Sequence, residues 1–156
     1  VFSLRYGGGI SGGDLGRRGV FALGGFGDAS LFDQLRNQSS LGGTALRGYD
    51  PFSRAGTQFQ LVQLEYRFPL FRIMRGIQTL PVYLNRTYAL VFVDVGDAYR
   101  GRFDPTTLRV GAGAEIFLDF TLGFILPFTM RVGFAYGFMD EEAGGAQFYA
   151  HLGVPF

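Results

Sequence analysis

Apolar and polar residues alternate with a period of two along the second half of the chain, the spacing of strands whose successive side chains point to opposite faces. From Arg109 to Phe120 one parity holds Arg109, Gly111, Gly113, Glu115, Phe117 and Asp119, and the other holds Val110, Ala112, Ala114, Ile116, Leu118 and Phe120. From Phe128 to Phe138 the apolar parity is Phe128, Met130, Val132, Phe134, Tyr136 and Phe138, set against Thr129, Arg131, Gly133, Ala135 and Gly137. The last ten residues repeat the rule, with Phe148, Ala150, Leu152, Val154 and Phe156 against Gln147, Tyr149, His151, Gly153 and Pro155. Upstream, Val62, Leu64, Tyr66, Phe68 and Leu70 oppose Gln63, Glu65 and Arg67, and Ala89, Val91, Val93 and Val95 oppose Phe92, Asp94 and Gly96. Two weaker stretches, VFSLRYG and GVFALGGFG, open the chain and bring the predicted strands to seven, joined by turns such as Gly101-Arg102 with Asp104-Pro105 and Asp140 to Gly145.

The two faces differ from those of a soluble sandwich, where the outward face is crowded with charged and polar side chains. Here the polar parity is rich in glycine and alanine with isolated charges, and the other carries bulky aromatic and aliphatic residues without interruption. An apolar band outside and a polar, small-residue interior, on strands of about 9 to 11 residues, are what a transmembrane β-barrel requires. The fold class expected is therefore all-β, an antiparallel transmembrane barrel. Seven strands do not close in lipid, because an open edge leaves backbone groups unsatisfied and bacterial barrels have an even number of at least about eight. We expect residues 1–156 to be one barrel region, with strands and a periplasmic domain missing upstream. The stretch FRIMRGIQTLPVYLNRTYA is long for a periplasmic turn; as a solvated turn it would place Arg72, Arg75 and Arg86 near lipid headgroups.

Composition agrees with a large apolar surface: 47% of residues are hydrophobic, with 25 glycines and 18 phenylalanines. No run approaches the roughly 18 apolar residues of a membrane-spanning helix. The net charge is only +1, and all 14 basic residues are arginines spread along the chain, which argues against nucleic acid as a partner. There is no cysteine, so disulfides and thiolate metal sites are excluded. The one histidine, His151, and the lack of a G-x-S-x-G elbow argue against a nucleophilic triad. GGGISGGDLGRRG lacks the lysine and hydroxyl residue of a phosphate-binding loop. No catalytic residue, metal site or cofactor is expected. Glu115 and Asp119 share one strand face, where Arg109 and Arg131 make a charge network the expected arrangement in place of acid-base chemistry. The acidic run Asp140, Glu141 and Glu142 reads as a solvated loop.

LRGYDPF, residues 46–52, lies in a loop between these strands and resembles the [VL]-R-G-[FY] motif in the long extracellular loop of the BamA/TamA outer-membrane assembly superfamily, which includes the two-partner-secretion transporters. VFVDVG, residues 91–96, is similar to the F-x-D-x-G strand motif of that family, and LEYRFPL lies between the two as expected. FYAHLGVPF, ending in an aromatic residue, resembles the family's closing strand. The resemblance covers most of the chain and corresponds to the last seven strands of a sixteen-stranded barrel.

The resemblance implies that the loop folds into the lumen and that Arg47 pairs with acids on the inner wall. Parity independently places Glu65 and Asp94 on that face, and these are the expected partners. A lumen arginine is costly unless paired, and its planar fork can take a carboxylate bidentately. Gly48 would allow close backbone approach or a positive φ, Tyr49 would give an amphipathic contact in the lumen, and Gly96, of the F-x-D-x-G motif, belongs to the same lumen lock. Phe148, Leu152, Val154 and Phe156 would form the C-terminal strand signal read by the barrel-assembly machinery. The implied function is insertion, assembly or translocation of proteins at the bacterial outer membrane. The implied partners are membrane lipid and lipopolysaccharide, unfolded outer-membrane protein clients, and periplasmic or lipoprotein accessory subunits. The alternative is a passive channel, or a barrel anchoring a fused periplasmic or surface domain.

Overall fold

In the computed structural model, which describes residues 1–13, 19–25, 45–76, 79–139 and 144–153, the chain is built from β-strands. They are β1 (Phe2–Ile10), β2 (Phe21–Leu23), β3 (Arg54–Gly56), β4 (Gln58–Gly76), β5 (Val82–Tyr99), β6 (Arg109–Leu122), β7 (Leu126–Gly137) and β8 (Ala146–Gly153). Six form one antiparallel sheet in the order β1-β4-β5-β6-β7-β8, and β2 pairs only with β3 in a second, small sheet. Among the described residues β1 and β8 do not pair with each other, so the sheet is open at both edges. The one helical element among the described residues is a 3₁₀ turn, Pro105–Thr107, capped by Asp104, whose side chain accepts a 2.9 Å hydrogen bond from the Thr106 amide.

Two expectations from the sequence need correction. The described part of GVFALGGFG is not a wall strand: Phe21–Leu23 pairs with Arg54–Gly56 outside the main sheet, and Phe26 and Gly27 lie outside the described residues. FRIMRGIQTLPVYLNRTYA is not a long turn either, because β4 runs to Gly76 and β5 begins at Val82. Its alternation is hidden by irregularities in the ladder, at Pro69/Phe71 and Arg72/Arg75, with Met74 at a φ of 45°. A bulge adds an unpaired residue and switches the parity of all that follow.

The register assembles each parity into continuous rows across the sheet. Phe2, Tyr66, Val91, Ala114, Phe134 and Phe148 form one row on the apolar face. On the opposite face run Ser3, Glu65, Phe92, Gly113, Ala135 and Gln147, flanked by the rows of Asp94 and of Glu115. Burial is inverted relative to a water-soluble sheet. Phe148 is 82% exposed and Val91 43%, whereas Asp94, on the face bearing the charges, is fully buried. What covers the polar face is the segment of residues 45–50 together with β2. Leu46 and Tyr49 join Leu23 over Phe59, Leu61 and Ala98 in one buried cluster, against which Phe21 packs.

Candidate functional site: the buried arginine of the covering segment

The segment at Arg47 is seated by glycines. Gly48 adopts a φ of +91°, and a Cβ there would lie 2.6 Å from the Tyr136 carbonyl carbon. Across the contact, a Cβ on Gly111 would fall 2.0 Å from the Arg47 carbonyl oxygen, and one on Gly137 2.3 Å from the Gly48 oxygen. Only hydrogen fits at these three positions, so β6 and β7 offer a bare backbone slot into which the segment settles. Backbone bonds fix its borders: Leu46 donates to the Gly24 oxygen at 2.8 Å, Gly25 to the Tyr49 oxygen at 2.8 Å, and Gly145 to the Gly48 oxygen at 3.2 Å. Tyr49, fully buried, donates its hydroxyl to the Val110 oxygen at 2.9 Å and accepts from the Met139 amide at 3.2 Å.

Held this way, the Arg47 guanidinium lies 3.5 Å from the centroid of the Phe92 ring and spends its donors on three carboxylates. Nε donates to Asp94 Oδ2 at 2.6 Å and one terminal nitrogen to Asp94 Oδ1 at 2.7 Å, a bidentate pair. The same nitrogen reaches Glu65 Oε1 at 3.1 Å, and the other reaches Glu115 Oε1 at 3.2 Å. The Arg47 amide also points to Asp94 Oδ2, at 3.3 Å. The side chain is 3% exposed, Asp94 0% and Glu115 1%, while Glu65 retains 18%.

Three acids around one cation would leave uncompensated charge in a buried site, which is expensive. Two further arginines balance it. Arg67 donates to Glu65 Oε2 at 2.8 Å, and Arg131 donates to Glu115 Oε1. The set Glu65, Asp94 and Glu115 against Arg47, Arg67 and Arg131 is formally neutral. Tyr149 adds a hydroxyl donor to Glu115 Oε1 at 2.5 Å. Such a network specifies one arrangement, because each of its three carboxylates is held by guanidinium donors from fixed directions.

The structure thus brings Arg47, Glu65 and Asp94 into contact, with Gly48 and Tyr49 setting the backbone. Gly96 lies elsewhere: a Cβ there would meet the Gln60 oxygen at 2.7 Å, so its smallness serves the close approach of β4 and β5. Glu115, Phe92, Arg131 and Tyr149 complete the site beyond the residues expected from sequence. All four belong to the polar parity, the one signal that could have found them. The expected network around Glu115 and Asp119 is split. Glu115 joins the Arg47 site, and Asp119 accepts from Arg86 Nε at 2.7 Å and Thr129 Oγ1 at 2.7 Å. Arg109 turns the other way, donating to Ser53 Oγ at 3.1 Å with its guanidinium 5.2 Å from the Tyr49 ring centroid. Phe148 and Leu152 project from the exposed apolar face. Val154, Phe156 and the acidic run Asp140 to Glu142 lie outside the described residues.

Chemically, the site offers neither an exposed nucleophile nor an open acid-base pair, since its carboxylates are consumed by guanidinium groups. What it can do is hold a chain segment against a sheet. No protein family, no curated protein and no solved structure matches this chain.

Proposed function

We propose that this chain forms part of the wall of a transmembrane β-barrel in the bacterial outer membrane, of the BamA/TamA kind, and takes part in inserting or translocating polypeptides there. The observation that carries the proposal is the inverted sheet. A bulky apolar face stands open across six strands, while the charged face is covered around Asp94 by a segment whose arginine is locked among three carboxylates. Lipid is the solvent that makes the first face inexpensive, and a lumen is the setting that makes the second useful. In this proposal the Arg47 segment is a lumen lock, and the work is noncovalent: the outer backbone edge of β8, which pairs with no other strand among the described residues, templates an incoming strand by hydrogen bonding. Phe148 and Leu152, on its apolar side, then face the acyl chains.

Membrane placement and activity are tested separately. The chain contains no tryptophan, so single probes can be introduced without background. Phe134→Trp, on the apolar face, should be quenched strongly by lipids brominated on their acyl chains, and Phe117→Trp, on the polar face, weakly. Equal quenching at the two positions would sink the membrane wall. For activity, vesicles carrying the full protein should fold an unfolded outer-membrane barrel client faster than empty vesicles. An unchanged folding rate, with quenching as expected, would leave the passive anchor. The seating of the Arg47 segment against the polar face favours that second assignment over an open channel, and conductance across a planar bilayer distinguishes the two.

A further inference from the structure

Tyr149 is on the edge strand β8, yet its hydroxyl ends on Glu115, two strands away on β6. The row that contains them explains the reach. Glu115 pairs with Gly133 of β7, and Gly133 pairs with Tyr149. A Cβ on Gly133 would sit 2.4 Å from the Tyr149 ring, so the absence of a side chain there is what lets the ring lie across β7. The oxygen it reaches, Glu115 Oε1, is the same atom that accepts from Arg47 and from Arg131. The edge strand and the covering segment therefore share an acceptor.

They are joined at the other end as well. Tyr49 bridges Gly144, just ahead of β8, and Gln147 Nε2 donates to Asp50 Oδ1 at 3.2 Å. Lifting the segment from its slot removes the Gly48 and Asp50 acceptors from this approach and takes one donor from Glu115. Releasing β8 takes Tyr149 from Glu115 and weakens what holds Arg47. Donors that share one oxygen compete for it, but Tyr149 also fixes where that carboxylate points. Gly145 and Gln147 bond the segment directly, so the two local events support each other, and linkage is reciprocal.

We infer that Tyr149, passing over Gly133 to Glu115, couples the seating of edge strand β8 to the docking of the Arg47 segment, so that opening either one loosens the other. Tyr149 is a positioning residue in this scheme; it acts on Arg47 through Glu115. The device rests on side-chain contacts and stands or falls without the membrane assignment.

Two measurements on the full protein in detergent micelles test it. In Arg47→Ala, amide hydrogen exchange along β8 should accelerate about tenfold more than along β1, the opposite edge, a coupling of ordinary allosteric size. Equal acceleration of both edges is a general loss of stability and overturns the inference, as does no change at β8. In the reverse direction, trypsin cleavage after Arg47 reports undocking, because that bond is buried when the segment is seated. Tyr149→Phe keeps the ring and loses the hydroxyl, and Gly133→Ala closes the gap while removing no hydrogen-bonding group. Both should speed cleavage at Arg47 about tenfold, with cleavage at the exposed Arg100 unchanged. Should Arg47 stay as resistant as in the parent protein in both variants, the coupling does not exist.

Discussion

The two faces of the main sheet follow opposite rules. On one, Val91, Phe134 and Phe148 stand exposed in the same row. On the other, Asp94 and Glu115 are more completely buried than any of these apolar residues. In water the first face would cost free energy for every square ångström uncovered, about 25 cal/mol each, and such a continuous surface is a binding site or a liability. The second shows what burial of charge demands: full pairing, here by three arginines, with a flat aromatic ring beneath the central one. The comparison teaches that burial in this chain tracks the covering segment, not hydrophobicity.

The harshest way to break the comparison is to strip the buried face of one member. Asp94→Ala leaves Arg47 in its slot without its bidentate partner, and removal of one side of a buried pair costs about 3–5 kcal/mol. Urea denaturation in micelles should show that loss, with the segment undocked and trypsin admitted at Arg47. A loss under about 1 kcal/mol would mean that Glu65 and Glu115 suffice to hold the arginine.

The exposed face is broken by the reverse substitution. Val93→Arg places a cation at a position 38% exposed in the middle of β5. Against lipid this costs about 2–4 kcal/mol near the bilayer midplane, whereas a water-facing site would tolerate it within about 0.5 kcal/mol. Measuring the variant in lipid vesicles by denaturant titration therefore sharpens the comparison into a statement about solvent.

How much of this was legible in the sequence depends on range. Parity is local, and it sorted Glu65, Asp94 and Glu115 onto one face. Which acids meet Arg47 depends on the registers of β4 with β5 and of β5 with β6, which no local pattern carries, and so Glu115 was assigned to Asp119's network instead of this one. The same limit explains the wall count. Phe21 to Leu23 alternates weakly, and whether such a stretch joins the main sheet is decided by its partner, here Arg54–Gly56. In β4 and β5 the bulges near Pro69 and Met74 reverse parity mid-strand, so a continuous ladder imitates a turn. Glycine was legible as smallness but not as purpose: Gly111 and Gly137 serve the slot, Gly133 the Tyr149 ring, and Gly96 the spacing of β4 and β5.

The slot itself is the next target. Gly111→Ala adds a methyl group where the Arg47 oxygen already stands 2.0 Å from the new carbon. Backbone must move, and overpacking of this kind costs about 1–3 kcal/mol. The expected result is a segment that docks less often while the sheet persists, seen as faster trypsin cleavage at Arg47 with unchanged circular dichroism. Unfolding of the sheet together with the segment would show that docking and wall stability are inseparable.

The smallest effect is expected at Glu65, and it marks where the buried face gives way to solvent. Its side chain keeps 18% exposure and divides its oxygens between Arg47 and Arg67, the latter 51% exposed. Glu65→Gln retains an acceptor for Arg47, removes one negative charge, and leaves Arg67 free to find water. Solvent screening reduces the Arg67 pair to the range of surface ion pairs, so the total loss should be about 1 kcal/mol, several times less than for Asp94→Ala. The double variant Asp94→Ala with Glu65→Gln decides whether the two acids act as one site. A summed cost equal to the two single costs would make them independent ligands of Arg47. A sum falling short by about 0.5 kcal/mol or more would show that Glu65 stabilises Arg47 only when Asp94 already orients it.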